Sequence, residues 1–412
     1  MISGGMQSAN DPLASTLSAD QATESDWDAI VIGAGLAGSI AAIGLAKSRR
    51  RVLLVERSEL PRSKVCGACL NLDAVSSLQV AGAWQRIASL GGHELKRYEL
   101  RCKGKSVTLP LPGGHAVSRF AMDRALAETA IEAGAEFLSK TRLKIERSTE
   151  THVELSCAKM RTYRARVVVD ASGLNSNSHH HDVSTRCPDV VVEKDSRIGL
   201  GAYWTPESLS ADVHRGTIHI AVSDRGYVGL VVTEGGRINL AAAVDRVAVQ
   251  ELGPAEACKQ MLDRCDLSVD DGYLKSKFFG TTTLTRHRRV SGGHRLLFAG
   301  DSSGYVEPFT GEGMAWALRA GLGVVSFVNR GIDCWDDDLP EDWTAELKRL
   351  IGPQKRRCRI IARTLRHSSL VRASVSALST FPSIGQLAVD YVQQARPISL
   401  SNHWPWNCGA SS

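Results

Sequence analysis

The feature that most constrains this chain is a glycine turn set between an apolar strand and a helix. Ala29-Ile30-Val31-Ile32 is a short apolar run, and Gly33-Ala34-Gly35-Leu36-Ala37-Gly38 follows it. Ile40–Lys47 then has helical spacing, and Arg51–Glu56 reads as a second buried strand. A dinucleotide-binding unit needs that order. Gly33 permits the turn, Gly35 lets the backbone approach a pyrophosphate, and Gly38 lets helix and strand pack closely. The first-turn N–H groups, those of Leu36 and Ala37 included, meet the phosphate charge. Glu56 ends the second strand, with Arg57 after it. Its carboxylate suits a ribose 2′-hydroxyl and repels a 2′-phosphate.

A second glycine-rich strand-to-helix turn lies far downstream. Arg295–Ala299 is a buried strand ending in Gly300-Asp301, and the chain continues through Pro308-Phe309-Thr310-Gly311-Glu312-Gly313 into the helical spacing of Met314–Leu322. Such a turn supplies an acidic residue, Asp301, to a ribityl or ribose hydroxyl. It also presents a helix N-terminus, at Gly313 and Met314, to a second part of the same long ligand. Two turns sharing one ligand suit FAD better than NAD.

Length and composition agree with this reading. At 412 residues with 43% apolar and 23% charged positions, the chain is soluble α/β in character. No apolar run reaches the ~18–20 residues of a membrane span, and Met1–Asp26 lacks the order of a secretion signal. A cytoplasmic location is expected. The ten cysteines are scattered, so free thiols are expected. The net charge of +6 is local: Lys348–Arg372 carries nine Lys or Arg and no Asp or Glu, leaving the rest at −3. Aromatic residues do not interleave with those charges, which argues against a nucleic-acid partner.

The two turns together resemble those of the large flavoprotein superfamily of FAD-dependent monooxygenases and geranylgeranyl-reductase-like oxidoreductases. The resemblance runs from about Trp27 to Leu322. It implies FAD as cofactor, and it marks Arg119 in Ser-Arg-Phe-Ala-Met-Asp-Arg-Ala-Leu as the family's cofactor-contacting arginine. The stretch Lys64-Val65-Cys66-Gly67-Ala68-Cys69-Leu70-Asn71 is similar to the Lys-x-Cys-Gly segment of the geranylgeranyl-reductase-like branch, which implies an active-site role for Cys66 and Gly67 beside the flavin. The alternatives are a buried structural thiol and, less favoured, a redox dithiol of Cys66 with Cys69. Pro308, Gly311 and Gly313 are the other catalytic candidates. The turn amides there would stabilise negative charge on the reduced flavin ring.

The family's middle motif falls at Asp170-Ala171-Ser172-Gly173, where Ser172 replaces the aspartate of the hydroxylases. Gly173 remains a cofactor candidate. NAD(P)H is the candidate electron donor, and the Ser172 departure weakens a claim for its binding here. Glu307 and Glu312 flank the second turn and read as surface carboxylates, with a proton relay as the alternative. Glu312 also counts as a cofactor candidate by position. No metal set is convincing: neither Cys258 with Cys265 nor the His179–His181 run has zinc spacing.

The expected architecture is a Rossmann-type FAD-binding domain with an inserted antiparallel substrate sheet and a helical C-terminal region. Residues 1–26 would be a disordered tail. Residues 27–95, 112–180 and 285–330 would form the FAD domain, 96–111 and 187–280 the sheet, and 333–412 the helical region. In that last region Lys355, Arg359, Arg363 and Arg366 share a helical face. It reads either as a solvated cap or as a surface resting on anionic lipid at the membrane periphery.

The expected function is hydride transfer from reduced FAD to a double bond of a hydrophobic, isoprenoid or lipid-like substrate. The alternative is a monooxygenase acting on a small hydrophobic or aromatic substrate. A halogenase is disfavoured because its Trp-x-Trp-x-Ile-Pro segment is missing and Trp404-Pro-Trp406 sits at the wrong end.

Overall fold

The computed structural model describes residues 11–158, 161–174, 190–309 and 311–380. The His179–His181 run and the Trp404–Trp406 segment lie outside them.

One sheet carries the first glycine turn. Five of its strands run parallel, in the order Leu296–Phe298, Thr162–Asp170, Asp26–Ile32, Val52–Val55 and Glu136–Leu138. Ile32 pairs with Asp170 on one side and Val55 on the other, so the loops that follow all three strands open at one edge. Helices cover one face and further apolar groups the other, which is why these strands read as unbroken apolar runs rather than alternating ones.

The Leu36–Lys47 and Gly313–Asp333 helices pack against each other on that sheet. Their close approach rests on Gly321, where a Cβ would stand 2.5 Å from the Ala37 carbonyl oxygen. The second glycine turn is thereby pressed against the first.

The second sheet has seven strands: Phe279–Thr283, Ile198–Trp204, Ile238–Val244, Gly226–Val232, Thr217–Ser223, Arg97–Cys102 and Lys105–Pro110. Its pairing is antiparallel with one exception. Thr217–Ser223 and Arg97–Cys102 run parallel, which corrects the expectation of a wholly antiparallel sheet. The cause is topological. The Arg97–Pro110 hairpin is contributed by a separate excursion of the chain and docks on the edge of an existing meander.

Two further expectations change. Residues 11–26 are not a loose tail over the described part. Leu13 N–H donates to Leu60 O (2.8 Å), Thr16 N–H to Phe137 O (3.0 Å), and Ala19–Thr23 is a helix closed by a Ser18–Gln21 capping box. Edge hydrogen bonds and one buried alanine, Ala22, supply what composition does not reveal.

The basic C-terminal face is likewise engaged. Lys355 Nζ donates to Gly304 O at 2.7 Å, Arg359 stands 3.4 Å from Glu193, and Arg366 donates to Asp195 O, while Arg363 is exposed. The Leu339–Thr364 helix therefore spends most of that stripe on its own protein, while Lys348, Arg349, Arg356 and Arg363 stay exposed. The Ser368–Thr380 helix follows and leans on the Arg97–Pro110 hairpin through Val371 and Val375. Among the described residues no helix is long and apolar enough to cross a membrane, and all eight cysteines are free.

Candidate functional site

The three glycines of the first turn do different work. Gly33 has φ +102°, and a Cβ there would stand 2.6 Å from the Ala171 carbonyl oxygen. A Cβ on Gly38 would be 1.9 Å from the Gly33 carbonyl oxygen. Both positions are closed by backbone. Around Gly35 the neighbours are cations instead: its Cβ would meet Arg119 Nη2 at 3.4 Å, Arg62 Nη2 at 3.9 Å and Lys64 Nζ at 4.0 Å. Gly35 is also the N-cap of the Leu36–Lys47 helix, with no side chain capping it, so the first-turn N–H groups are left for a ligand.

The positive charge is only partly neutralised. Asp123, fully buried, accepts from Arg119 Nε (2.6 Å), Arg119 Nη2 (2.8 Å) and Arg62 Nη1 (3.0 Å). Burial alone would raise its pKa, yet the two guanidiniums hold it below the ordinary carboxylate value. Glu56 accepts from Ala34 N–H (3.0 Å), Ser58 N–H (3.0 Å) and Arg62 Nη2 (3.1 Å). Lys64 has no ion pair among the described residues. Burial, with Arg119 beside it, pulls its ammonium below the usual lysine value. An uncapped helix end, a glycine without a Cβ and a half-buried ammonium with no ion pair among the described residues fit a pyrophosphate.

The second turn completes the cradle. Gly300 has φ +68°, and a Cβ there would be 2.8 Å from Ala37 Cβ, so the Gly300-Asp301 corner touches the first turn directly. Gly311, φ +75°, lies against Cys69, 3.6 Å from Cβ position to Cβ. Leu36, Ala37, Cys66, Gly67, Arg119, Gly173, Gly300, Asp301, Pro308, Gly311, Gly313 and Met314 line one cavity. Gly33, Glu56 and Arg57 line a second, and Gly35, Lys64 and Ala171 border both. A long ligand can thus run from Glu56, past the cations, to the Gly311–Gly313 turn.

Gly38 and the Glu312 side chain border neither cavity. Glu312 turns the other way and is 3% exposed, which overturns its reading as a surface carboxylate. Burial pushes its pKa up to about 7, partly offset by the Cys358 thiol that donates to it at 3.3 Å. Glu307 is buried too, 3.3 Å from Arg197 Nη1, and burial raises its pKa against that pairing. The glycines on either side of Glu312 expose backbone to the ligand cavity, and the helix that follows directs the carboxylate toward the Leu339–Thr364 helix.

Cys66 and Cys69 separate in environment. Cys66 is half-buried at the cavity wall, and its carbonyl accepts from Asn239 Nδ2 (2.9 Å), which ties this loop to the second sheet. Cys69 is buried, and its thiol donates to Gly67 O at 3.0 Å. Burial raises its pKa far above the ordinary value, so it stays a thiol. Both cysteines line the same cavity, Cys66 the more exposed of the two. Cys66→Ser is expected to keep its flavin while altering turnover or the flavin spectrum, and Cys69→Ser to change either much less. Equal, negligible effects in stopped-flow and absorbance measurements would return Cys66 to a packing role.

The Ser172 position is also accounted for. Its backbone N–H and hydroxyl both donate to Asp170 Oδ1, at 2.9 and 2.6 Å, so the serine closes its own loop. Gly173, φ +85°, leaves the space that Lys64 Nζ enters, 3.4 Å from its Cβ position. Sequence reading missed Arg62, Lys64 and Asp123 as a unit. A basic pair in the loop after a strand was the available signal, together with an aspartate four residues after Arg119.

Comparison with known proteins bears on the same region. The family model described as "Lycopene cyclase protein" matches residues 28–193, less than half of the chain. Digeranylgeranylglycerophospholipid reductase of Methanosarcina acetivorans is 26% identical over 312 residues, 72% of this chain and 73% of that one. Menaquinone reductase of Mycolicibacterium smegmatis is 26% identical over 330 residues, covering 71% and 74%. Among solved structures, the flavin-dependent brominase Bmp2 superposes with a TM-score of 0.72 at 14% identity, covering 90% of this chain and 94% of that one, a likeness of fold alone. With both glycine turns and the cation cradle, these matches support an oxidoreductase of the FAD-dependent superfamily, FAD being the cofactor that the two turns would take.

Proposed function

We propose that the protein is a flavin-dependent reductase that saturates a double bond in a hydrophobic, isoprenoid or lipid-like substrate. The observation that carries this reading is the single apolar cavity shared by Cys66-Gly67 and the Pro308–Gly313 turn. Residues of both glycine turns and of the second sheet line it together, so a flavin seated against the turns would face the sheet across this cavity. The similarity to a digeranylgeranylglycerophospholipid reductase and a menaquinone reductase supports the same class.

Bound FAD supplies the two-electron chemistry. The chain's own groups hold and shield it. Leu36 and Ala37 N–H groups with Arg62, Lys64 and Arg119 would bind the pyrophosphate, Glu56 a ribose, and Asp301 the ribityl chain. Amides of the Gly311–Gly313 turn, at the start of the Gly313–Asp333 helix, would face the ring edge that gains charge on reduction. The second sheet lines the cavity with Ile218, Ile220 and Leu230, an apolar wall opposite the turns.

The second reading, a monooxygenase, draws on the same largely apolar cavity. Holoprotein reduced with dithionite separates the two. The reductase reading expects an unsaturated isoprenoid to reoxidise the flavin under strict anaerobiosis, with two hydrogens added to the product by mass. It also expects mixing with oxygen to give no accumulating spectral intermediate. Labelled oxygen in the product would promote the monooxygenase.

A further inference from the structure

A phenol beside the second glycine turn faces the cavity with nothing of its own protein to bond. Tyr305 ends the short Gly304–Tyr305 strand, pairs with Arg286 and lines the large cavity. A Cβ on Gly313 would stand 2.9 Å from the Tyr305 hydroxyl, so the glycine that starts the Gly313–Asp333 helix leaves the space this hydroxyl fills. The hydroxyl has no hydrogen-bond partner among the described residues. Unlike the hydroxyl of Tyr98 on the same wall, which is sealed off, it keeps an accessible surface on a half-buried residue. The side chain is braced from behind. Its ring meets Trp316 edge-on with centroids 6.3 Å apart, and Lys355 Nζ donates to Gly304 O at 2.7 Å while standing 5.9 Å from the Trp316 ring. The Leu339–Thr364 helix, through Lys355, thus helps to fix where the hydroxyl stands.

A donor held in one place, reachable from the cavity and unbonded, is arranged for a ligand. Burial, with Asp301 and Cys66 near it, raises this phenol well above the ordinary tyrosine value, so it stays protonated. The amides of the Gly311–Gly313 turn meet the same part of the cavity. We infer that the Tyr305 hydroxyl is a further donor to the flavin ring edge that those amides serve, and that it raises the reduction potential by bonding the reduced ring more strongly than the oxidised one. The cause is charge. The oxidised ring is neutral, the reduced ring carries negative charge at this edge, and a hydrogen bond to a charged acceptor is roughly twice as strong as one between neutral groups. The inference rests on the proposed seat of the ring against the second turn, and it holds whichever substrate takes the electrons.

The test uses FAD-loaded protein without substrate: wild type, Tyr305→Phe and, as a control on the same wall, Tyr98→Phe. Each is reduced slowly under anaerobiosis beside a reference dye, and the midpoint potential is read from the two absorbances. Tyr305→Phe keeps the ring against Trp316 and removes the hydroxyl alone. It is expected to shift the equilibrium toward oxidised flavin by about tenfold, which for a two-electron couple lowers the potential by about 30 mV. Its content of oxidised FAD should match that of wild type. Tyr98→Phe should leave the potential unchanged, because its hydroxyl does not reach the cavity. An unchanged potential in Tyr305→Phe, or an equal fall in both variants, would overturn the inference. So would loss of FAD from a folded Tyr305→Phe protein, since the hydroxyl would then serve the oxidised cofactor. Anaerobic turnover of an unsaturated isoprenoid is scored separately. A failed reductase reading beside a lowered potential leaves the inference standing, and turnover beside an unchanged potential strikes the inference alone.

Discussion

Gly35→Asp is expected to give a folded protein that has lost its flavin. The backbone there is extended, φ −92° and ψ −170°, and aspartate is a favourable N-cap in that conformation. Its Cβ meets no backbone, only the ends of three flexible cationic side chains at 3.4 to 4.0 Å. The new carboxylate would pair with Arg119, Arg62 and Lys64 and occupy the place of the phosphates. Losing two charge-assisted contacts and adding repulsion costs about 3 kcal/mol or more, roughly a hundredfold in FAD affinity. Gly38→Ala should fail differently. Its methyl would stand 1.9 Å from a backbone oxygen, and relieving that contact costs about 3 kcal/mol or more of stability. Cofactor released by heat, alongside circular dichroism, checks both. Flavin retained in a folded Gly35→Asp protein would show that the pyrophosphate does not pass this glycine.

The contrast between Gly35 and Gly38 also shows what was legible in the sequence. Glycine spacing between a strand and a helix is a local signal, and it located the turn, the strands beside it and Glu56. Spacing cannot tell which glycine faces backbone and which faces ligand, because that depends on Ala171 and on Arg119, which lie 133 and 81 residues away from Gly38.

The same limit hid the Arg62–Asp123–Arg119 network, whose members come from a loop and a helix with no shared period. Glu307 and Glu312 misled for a related reason. A carboxylate beside a glycine turn looks solvated until a later helix, here Leu339–Thr364, covers it. Residues 11–26 are mostly small and polar and carry no periodicity, and apart from the Ser18-x-x-Gln21 capping pattern nothing local announces their docking.

Asp123 is where fold and cofactor compete most directly. Asp123→Ala removes a fully buried carboxylate that serves two guanidiniums and leaves three cations facing one another with Glu56 and Asp301 as the remaining counter-charges. Breaking such a buried network costs about 3–5 kcal/mol, because it strands charge rather than merely losing a contact. The apoprotein should bear that whole loss. FAD-loaded protein should bear less, since the pyrophosphate brings negative charge to the same cations. Denaturant midpoints of both forms measure the difference, with Asp123→Asn as the milder variant if the alanine protein does not fold. The pH dependence has a fixed sign. The folded pKa of Asp123 lies below its unfolded value of about 4, so its contribution is full above that value. It is lost only as pH falls through the lower folded value, and in Asp123→Asn that acid-sensitive step should disappear from the apoprotein. An equal loss of stability with and without FAD would mean that Arg62, Lys64 and Arg119 brace the fold without meeting the phosphates.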